Sequence, residues 1–427
     1  MIIYAVSLLL LLLALAIPVA ATLGGIGLLL GWQFTPLPIH RGVGEIVWAA
    51  VSDPLLVTIP MFIMMGEILL RSGIAANMYR SVALWLSWLP GGLMHSNIGS
   101  SALFAAVSGS SVATAATIGT VAVSEIDKHG YNERLFLGSI AAGGTIGIMI
   151  PPSINLIVYG VLTDTSIPQL FLAGLVPGIL MSLVFITTII LICLIKPGYG
   201  GDRIQATFAE RIAALPDFLP PIFIFAIVIG SIYAGVATPT ESAALGTFAS
   251  LVLVAFKRRL NWRVLAMAAQ GTMKSTAMIM AIIIAAKFLN FALTAVGFIG
   301  AFKSTIHGIG LDPFPTLLII IAFYLVLGMF METLSMMVIT VPIVVPVLVS
   351  MGYDAIWLGI LIILLIETAM ITPPVGINLF VVQGVRGRGS VADLMIGAIP
   401  FVAALMVMIV LIIVVPDIAL WLPNSSG

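Results

Sequence analysis

The sequence predicts an all-α polytopic membrane protein built from two inverted repeats, each with a re-entrant helical hairpin and a broken helix. Three observations predict it. Of the 427 residues, 61% are hydrophobic and 8% charged, with a mean hydropathy of +1.24, whereas soluble domains carry about a quarter charged residues. Several apolar runs exceed the roughly 20 residues that one crossing needs, and these carry Gly or Pro near their middle. The broken-helix motifs also recur at one offset along the chain.

Composition excludes whole classes of function. Seventeen basic and seventeen acidic residues cancel, which removes a general electrostatic case for nucleic acid. The lone Cys193 cannot form an internal disulfide. His40, His95, His129 and His307 lack metal-ligand spacing, and no Gly-x-x-x-x-Gly-Lys-Ser/Thr loop is present to hold a nucleotide. No serine, histidine and acid are spaced for hydrolysis, so the chain reads as a non-enzyme. Ile2 to Ile17 has the length of a signal h-region. It lacks a basic flank and a small-residue cleavage site, so a retained helix is expected.

In chain order, the apolar segments are residues 2–31, 54–70, 74–89, 98–123, 135–162, 168–195, 218–235, 241–256, 274–300, 315–349, 355–385 and 393–415. Glu67 and Arg71 stand four apart with the acid first, the favoured helical ion pair, and read as structural. His95, after Gly91-Gly92, reads as interfacial, and Asp127 to Arg134 as a solvated turn. The basic stretches Lys196 to Arg211 and Lys257 to Arg263 belong on the cytoplasmic side. Segments 218–235 and 241–256 supply the two crossings between them. In the turn Ala237-Thr238-Pro239-Thr240-Glu241, Thr240 is expected to cap a helix beginning at Glu241.

Gly130-Tyr131 pairs with Gly352-Tyr353, and Pro151-Pro152 with Pro373-Pro374, at one offset of 222 residues. A slip of one residue then aligns Gly174 with Gly397 and Pro177 with Pro400. Each half reads as a hairpin, a Gly-Tyr loop, an apolar helix, a Pro-Pro break, a short helix and a long final helix. Two such copies suggest a pseudo-symmetric carrier with its sites at the repeat interface. With Pro315 to Ser350 as a re-entrant hairpin, about seven crossings separate Leu135 from Tyr353, so the copies are inverted. The expected division is 1–90 scaffold, 91–178 first repeat, 179–313 scaffold and arm helices, 314–400 second repeat and 401–427 a last helix.

A helix interrupted within hydrocarbon strands its N–H and C=O groups unless protein buries them or they line a polar cavity. At the first break Gly143, Gly144 and Gly147 allow close backbone approach, and Pro151 and Pro152 remove two donors. The carbonyls freed upstream, such as those of Gly147 and Ile150, are hard oxygen ligands suited to Na⁺. The helix restarting at Ser153 offers N–H groups and a positive dipole end for an anion, with Asn155 beside it. An isolated Pro-Pro is more often a packing kink. Its return at Thr372-Pro373-Pro374, with Gly376 and Asn378, favours a functional break.

Ser108 and Ser110 are ligand candidates, since the repeat aligns Ser110 with Glu332. Thr114, Thr117 and Thr120 read as small-residue helix glue. Acids within a membrane are functional by default. Glu332 is read either as a cation ligand or proton-coupled site, or as a hydrogen-bonded hairpin tip; Glu367 reads as a buried structural partner. Lys287 is either a carboxylate-binding cation or a snorkelling lysine.

The runs Ser108 to Thr120, Gly143 to Ile154, Phe171-Leu172-Ala173-Gly174 with Pro177-Gly178, Ala237 to Glu241, and Thr372 to Gly376 resemble the large membrane subunit of tripartite ATP-independent periplasmic (TRAP) transporters over nearly the whole chain. The resemblance implies a sodium-driven, elevator-type importer of organic acids in the inner membrane. Its implied partners are a four-helix small membrane subunit and a periplasmic substrate-binding protein. By motif position, it implies one sodium site at Ser108 and the carbonyls of Gly147, Ile150 and Pro152, and a second at Gly328, Thr333, Thr372 and Pro374. Substrate would meet Ser110, Asn155 and Glu332 between the hairpin tips, with Asn378 at the second break a further substrate residue. Many relatives carry Asp in place of Glu332 and an Asn-Asn pair near Glu367-Thr368. The rival readings are a channel, a proton-translocating subunit, or a stand-alone ion-coupled carrier.

Overall fold

Apolar runs of bilayer length satisfy their backbone groups as helices. The computed structural model describes residues 2–15, 17–202, 206–298, 300 and 312–425. It is helical, with no strand among the described residues. His307 and positions 203–205 of the first basic stretch lie outside them.

The chain opens with α1 (Ile2–Ala14), α2 (Val19–Phe34), α3 (Val43–Val51), α4 (Thr58–Arg71) and α5 (Ile74–Leu86). The first motif-bearing half follows as α6 (Leu93–Ser108), α7 (Ser111–Ala122), α8 (Glu125–His129), α9 (Glu133–Met149), α10 (Ile154–Thr163) and α11 (Ile167–Ile195). Between the halves lie α12 (Phe208–Ala214), α13 (Leu219–Tyr233), α14 (Pro239–Phe256) and α15 (Trp262–Ala295). The second half is α16 (Pro313–Gly328), α17 (Thr333–Ser350), α18 (Ala355–Met370), α19 (Ile377–Arg386) and α20 (Val391–Val414), and α21 (Asp417–Ser425) closes the chain. Among the described residues six helices are long and apolar enough to cross a membrane, or up to eight if each bent pair is one span. The chain is a multi-pass membrane protein.

Both long interrupted segments break where the prolines stand. α9 ends at Met149 and α10 begins at Ile154, with a bend of 43° between them. α18 ends at Met370 and α19 begins at Ile377. The apolar segment 2–31 forms two helices, α1 and α2, because Pro18 has no N–H and stands as the N-cap of α2.

α9 is the centre of the core. Every residue from Leu135 to Met149 is buried, and α6, α7, α18, α19 and α20 pack around it. Glycines set the spacing: a Cβ on Gly138 would collide with the Gly397 backbone, and one on Gly397 with the Arg134 carbonyl. α15 packs apart from this centre, along α2 and α4.

The ends of the broken helices meet in a crossed fashion. Tyr159 Oη, near the end of α10, donates to the Ala355 carbonyl at the start of α18, at 2.6 Å. Arg386, at the end of α19, pairs with Glu133 at the start of α9, at 2.9 Å.

The two basic stretches lie at one end of the molecule, since Lys257 Nζ is 3.7 Å from Asp217. α13 and α14 therefore go out and back, as the charge pattern requires. In the intervening turn the cap is Thr238 and not Thr240. Pro239 at the first helical position and Glu241 at the third complete a capping box, with Thr238 Oγ1 accepting from Glu241 N at 3.3 Å and Glu241 accepting from Thr238 N at 2.8 Å. Thr240 instead bonds the Thr58 hydroxyl at 2.9 Å and donates to the Pro54 carbonyl at 3.1 Å. Thr238→Ala should cost about 1 kcal/mol, read as a lowered thermal midpoint with uptake unchanged.

One other expectation is corrected. His95 is fully buried, with Nε2 2.8 Å from the Pro90 carbonyl, because Gly91 and Gly92 fold the chain back over it. The stretch 127–134 is exposed at Asp127, Lys128 and Arg134, as expected of a solvated turn, and it also carries surface ion pairs that join the two halves. Arg388 binds Asp127 at 2.6 Å, Arg134 binds Asp393 at 2.9 Å, and Arg386 takes Glu133 and Asp393. The Arg388 guanidinium holds the Asp127 carboxyl below its usual range.

Candidate functional site

A cavity of about 320 Å³ opens between the tips of the two hairpins and α4 and α15. Ser108, Ser110, Asn155, Glu332 and Thr333 all line it. Residues from both halves of the chain, chosen from motif position alone, thus share one space.

Three helices begin at this cavity. Ser110 caps α7, its Oγ accepting from Ala113 N at 3.4 Å. Ser153 caps α10, accepting from Leu156 N at 3.3 Å. Glu332 caps α17, accepting from Ser335 N at 3.0 Å and from Ser335 Oγ at 3.1 Å. Each N-terminus carries unpaired N–H groups and roughly half a positive charge. Between them lies Asn155, only 3% exposed, whose Nδ2 has no partner among the described residues. A buried amide donor without an acceptor is costly, and a carboxylate or other oxyanion in the cavity would supply one.

The first hairpin tip rests on the first break. A Cβ on Gly109 would stand 2.8 Å from the Pro152 carbonyl oxygen. One on Gly147 would stand 2.7 Å from both the Ser110 carbonyl oxygen and Thr114 Oγ1. Ser108 Oγ lies 2.8 Å from Thr114 Oγ1, which in turn donates to the Ser110 carbonyl at 2.8 Å. Pro151 and Pro152 have no N–H to offer the carbonyls one helical turn upstream, Gly147 and Ile148. Ile150 is extended at the break itself. The donor set gathered here is oxygen only, which suits a hard cation such as Na⁺.

The second hairpin tip rests likewise on the second break. A Cβ on Gly328 would lie 2.5 Å from Ala369 Cβ, and Thr333 Oγ1 is 2.7 Å from Met370 Sδ. Thr372 Oγ1 donates to the Thr368 carbonyl at 2.6 Å. Pro374 follows in the turn leading to Gly376, whose φ of 44° caps α19. These hydroxyls, like Ser108 and Thr114 at the first tip, are engaged within the fold.

Asn378 does not line the cavity. Its Nδ2 donates to Ser111 Oγ at 2.9 Å and to the Ala141 carbonyl at 3.4 Å, inside the contact of α19 with α7 and α9. Ser111 donates on to Glu367 Oε2 at 3.0 Å, so Glu367 is a buried structural partner, as its sequence context indicates. Lys287 pairs with Asp53 at 3.5 Å and stays outside the cavity.

Sequence reasoning missed the wall facing the tips. Glu67, Ser275 and Met278 line it. Glu67 does form the 3.0 Å pair with Arg71, and that structural reading hid its second place. The signal lay in α15, where Ala268, Gly271 and Ser275 recur every three to four residues. A Cβ on Gly271 would stand 2.6 Å from the Glu67 carboxyl carbon, so the glycine brings α15 against α4.

Residues 6–418 match the family model described as the tripartite ATP-independent periplasmic transporter, DctM component. The chain belongs to the DctM family of TRAP transporters. A C4-dicarboxylate TRAP transporter large permease protein of Pseudomonas aeruginosa is 33% identical to it over 375 residues, 87% of each chain. The isethionate TRAP transporter permease protein of Oleidesulfovibrio alaskensis is 31% identical over 413 residues, 96% of this chain and 64% of that one. Among solved structures, the Alcanivorax borkumensis YdaH transporter has the same fold, with a TM-score of 0.64 at 12% identity over 95% of this chain and 97% of that one. This DctM-family chain is a large permease of the TRAP type. Its relatives are transporter permeases and not enzymes.

Proposed function

We propose that this permease imports an organic anion across the cell inner membrane, driven by Na⁺, with the anion held between the two hairpin tips. The observation that carries the reading is the convergence of the α7 and α10 N-termini and the unpartnered Asn155 amide on one cavity, the α17 N-terminus being taken by the Glu332 carboxylate. Relatives are named for a C4-dicarboxylate, isethionate and sialic acid, which are anions, and for ectoine, a zwitterion that also presents a carboxylate.

Ser108, Gly147, Ile150 and Pro152 would hold one sodium ion, and Gly328, Thr333, Thr372 and Pro374 a second. Ions there fix the tips and add positive charge beside the cavity, so substrate binds well only to the loaded form, a positive linkage between sites. The crossed contacts of Tyr159 with Ala355 and of Arg386 with Glu133 support inverted repeats. In that reading residues 91–178 and 314–400 form a transport domain that moves as an elevator. The scaffold comprises 1–90 and 179–313, and 401–427 is the C-terminal helix. A small four-helix membrane subunit and a periplasmic binding protein delivering the acid complete the system.

Asn155→Asp tests the anion site. It places a carboxylate where an oxyanion would sit, so sodium-driven uptake in proteoliposomes with the cognate binding protein should fall at least about tenfold, the equivalent of ~1.4 kcal/mol. Undiminished uptake, or wild-type uptake driven by a proton gradient without Na⁺, would reject the reading.

A further inference from the structure

A second cavity, about 670 Å³ in volume, lies far along α9 from the first, between the end of α11 and the start of α20. Part of its lining is charged and part is apolar. Ile192, Ile195, Ile396 and Pro400 line the apolar part, with Ile195 78% and Ile396 47% exposed, where the two longest apolar helices of the halves turn toward lipid. Glu133, Arg134, Lys196 and Asp393 also line it, with Arg134 and Lys196 exposed.

The four charged residues of the lining sum to zero, but both carboxylates are taken by arginines. Arg134, Arg386 and Arg388 are matched by Asp127, Glu133 and Asp393 in ion pairs. Lys196 is left over. Its Nζ sits 5.2 Å from the centre of the Tyr199 ring, and no carboxylate lies within ion-pair distance of it among the described residues. One lysine without an ion-pair partner among the described residues, beside an aromatic ring and an apolar crevice, matches one lipid phosphate with its acyl chain. Basic pockets between spanning helices on the cytoplasmic side bind anionic headgroups. The basic loop after α11 puts this cavity on that side.

We propose that the cavity between α11 and α20 binds an anionic phospholipid, with its phosphate at Lys196 and one acyl chain along Ile195 and Ile396. Arg134, held by Asp393 through Nε, steadies the charged part of the lining. The site joins the first half to the second by a lipid at the end opposite the meeting of α10 and α18.

Native mass spectrometry of the full chain, with equal phosphatidylglycerol and phosphatidylcholine added, reads this directly. The wild type should retain the anionic lipid roughly fivefold over the zwitterionic one, the preference expected for one lysine near the surface. Lys196→Ala should abolish the preference and Lys196→Arg preserve it. Ile396→Glu, which sets a like charge in the acyl crevice, should lose the lipid altogether. Equal retention of the two lipids by the wild type, or a preference untouched by Lys196→Ala, would overturn the proposal. So would displacement of phosphatidylglycerol by inorganic phosphate, which would mean that the site reads a free anion and no acyl chain.

Discussion

Gly147→Val should abolish sodium-driven uptake, and Ser108→Ala should leave a carrier that needs far more sodium. The two act on one spot by different means. At Gly147 the added atoms would meet the Ser110 carbonyl oxygen at 2.7 Å, and this backbone oxygen has no rotamer to escape into. Overpacking a tight contact costs about 1–3 kcal/mol, and the hairpin tip is the partner free to move. Displacing it separates the Ser108 hydroxyl from the carbonyls freed by Pro151 and Pro152. Ser108→Ala adds no bulk, and only deletes the hydroxyl that now lies 2.8 Å from Thr114 Oγ1. If that oxygen ligates Na⁺, its loss is worth about 1.5–3 kcal/mol, or a ten- to hundredfold rise in the half-saturating sodium concentration. Uptake measured against external Na⁺ in proteoliposomes separates the cases. Normal curves for both variants would mean that no ion binds at the first tip.

The sequence made the breaks legible because chemistry forces them. Two prolines in register remove donors whatever surrounds them, so Pro151-Pro152 and Pro373-Pro374 mark the ends of α9 and α18. The cavity was legible to the same extent, with Ser110, Asn155 and Glu332 brought together from positions far apart in the chain. Less visible was what depends on partners from elsewhere in the fold. Nothing local distinguishes Thr238 from Thr240 as a cap until Pro239 is recognised as the first helical residue. The turn around Asp127 is solvated as its sequence indicates, but its ion-pair partner Arg388 lies 261 positions away and is invisible locally. Asn378 belongs to the break by register, yet its amide is taken by Ser111. The side of the cavity built by Glu67 and Ser275 was illegible for the same reason, since helix-to-helix contact is a property of packing and leaves only small-residue spacing in the sequence.

Ser111→Ala should destabilise the protein more than removal of a serine hydroxyl ordinarily does. Glu367 is completely buried and has no ion-pair partner among the described residues. Ser111 supplies its one described hydrogen bond, and the Asn378 amide donates to that same hydroxyl. Deleting it leaves Asn378 Nδ2 only its 3.4 Å bond to the Ala141 carbonyl and strips the donor from Glu367, at about 1–3 kcal/mol for the group left unsatisfied. The change in volume is small, so the loss of thermal stability in detergent reports the polar contribution with little packing in it. Ser111→Thr keeps the hydroxyl and should lose less. Pairing Ser111→Ala with Glu367→Met removes the stranded acceptor as well, and replacing both partners by apolar groups costs far less than orphaning one. The double variant should therefore recover part of the stability, an interaction energy of about 0.5–3 kcal/mol in a double-mutant cycle. The three residues come from α7, α18 and α19, so this contact fastens the first hairpin to the second broken helix. A loss within the ~0.5 kcal/mol typical of exposed positions would mean that Glu367 is satisfied by another group, and that the two halves are held together elsewhere.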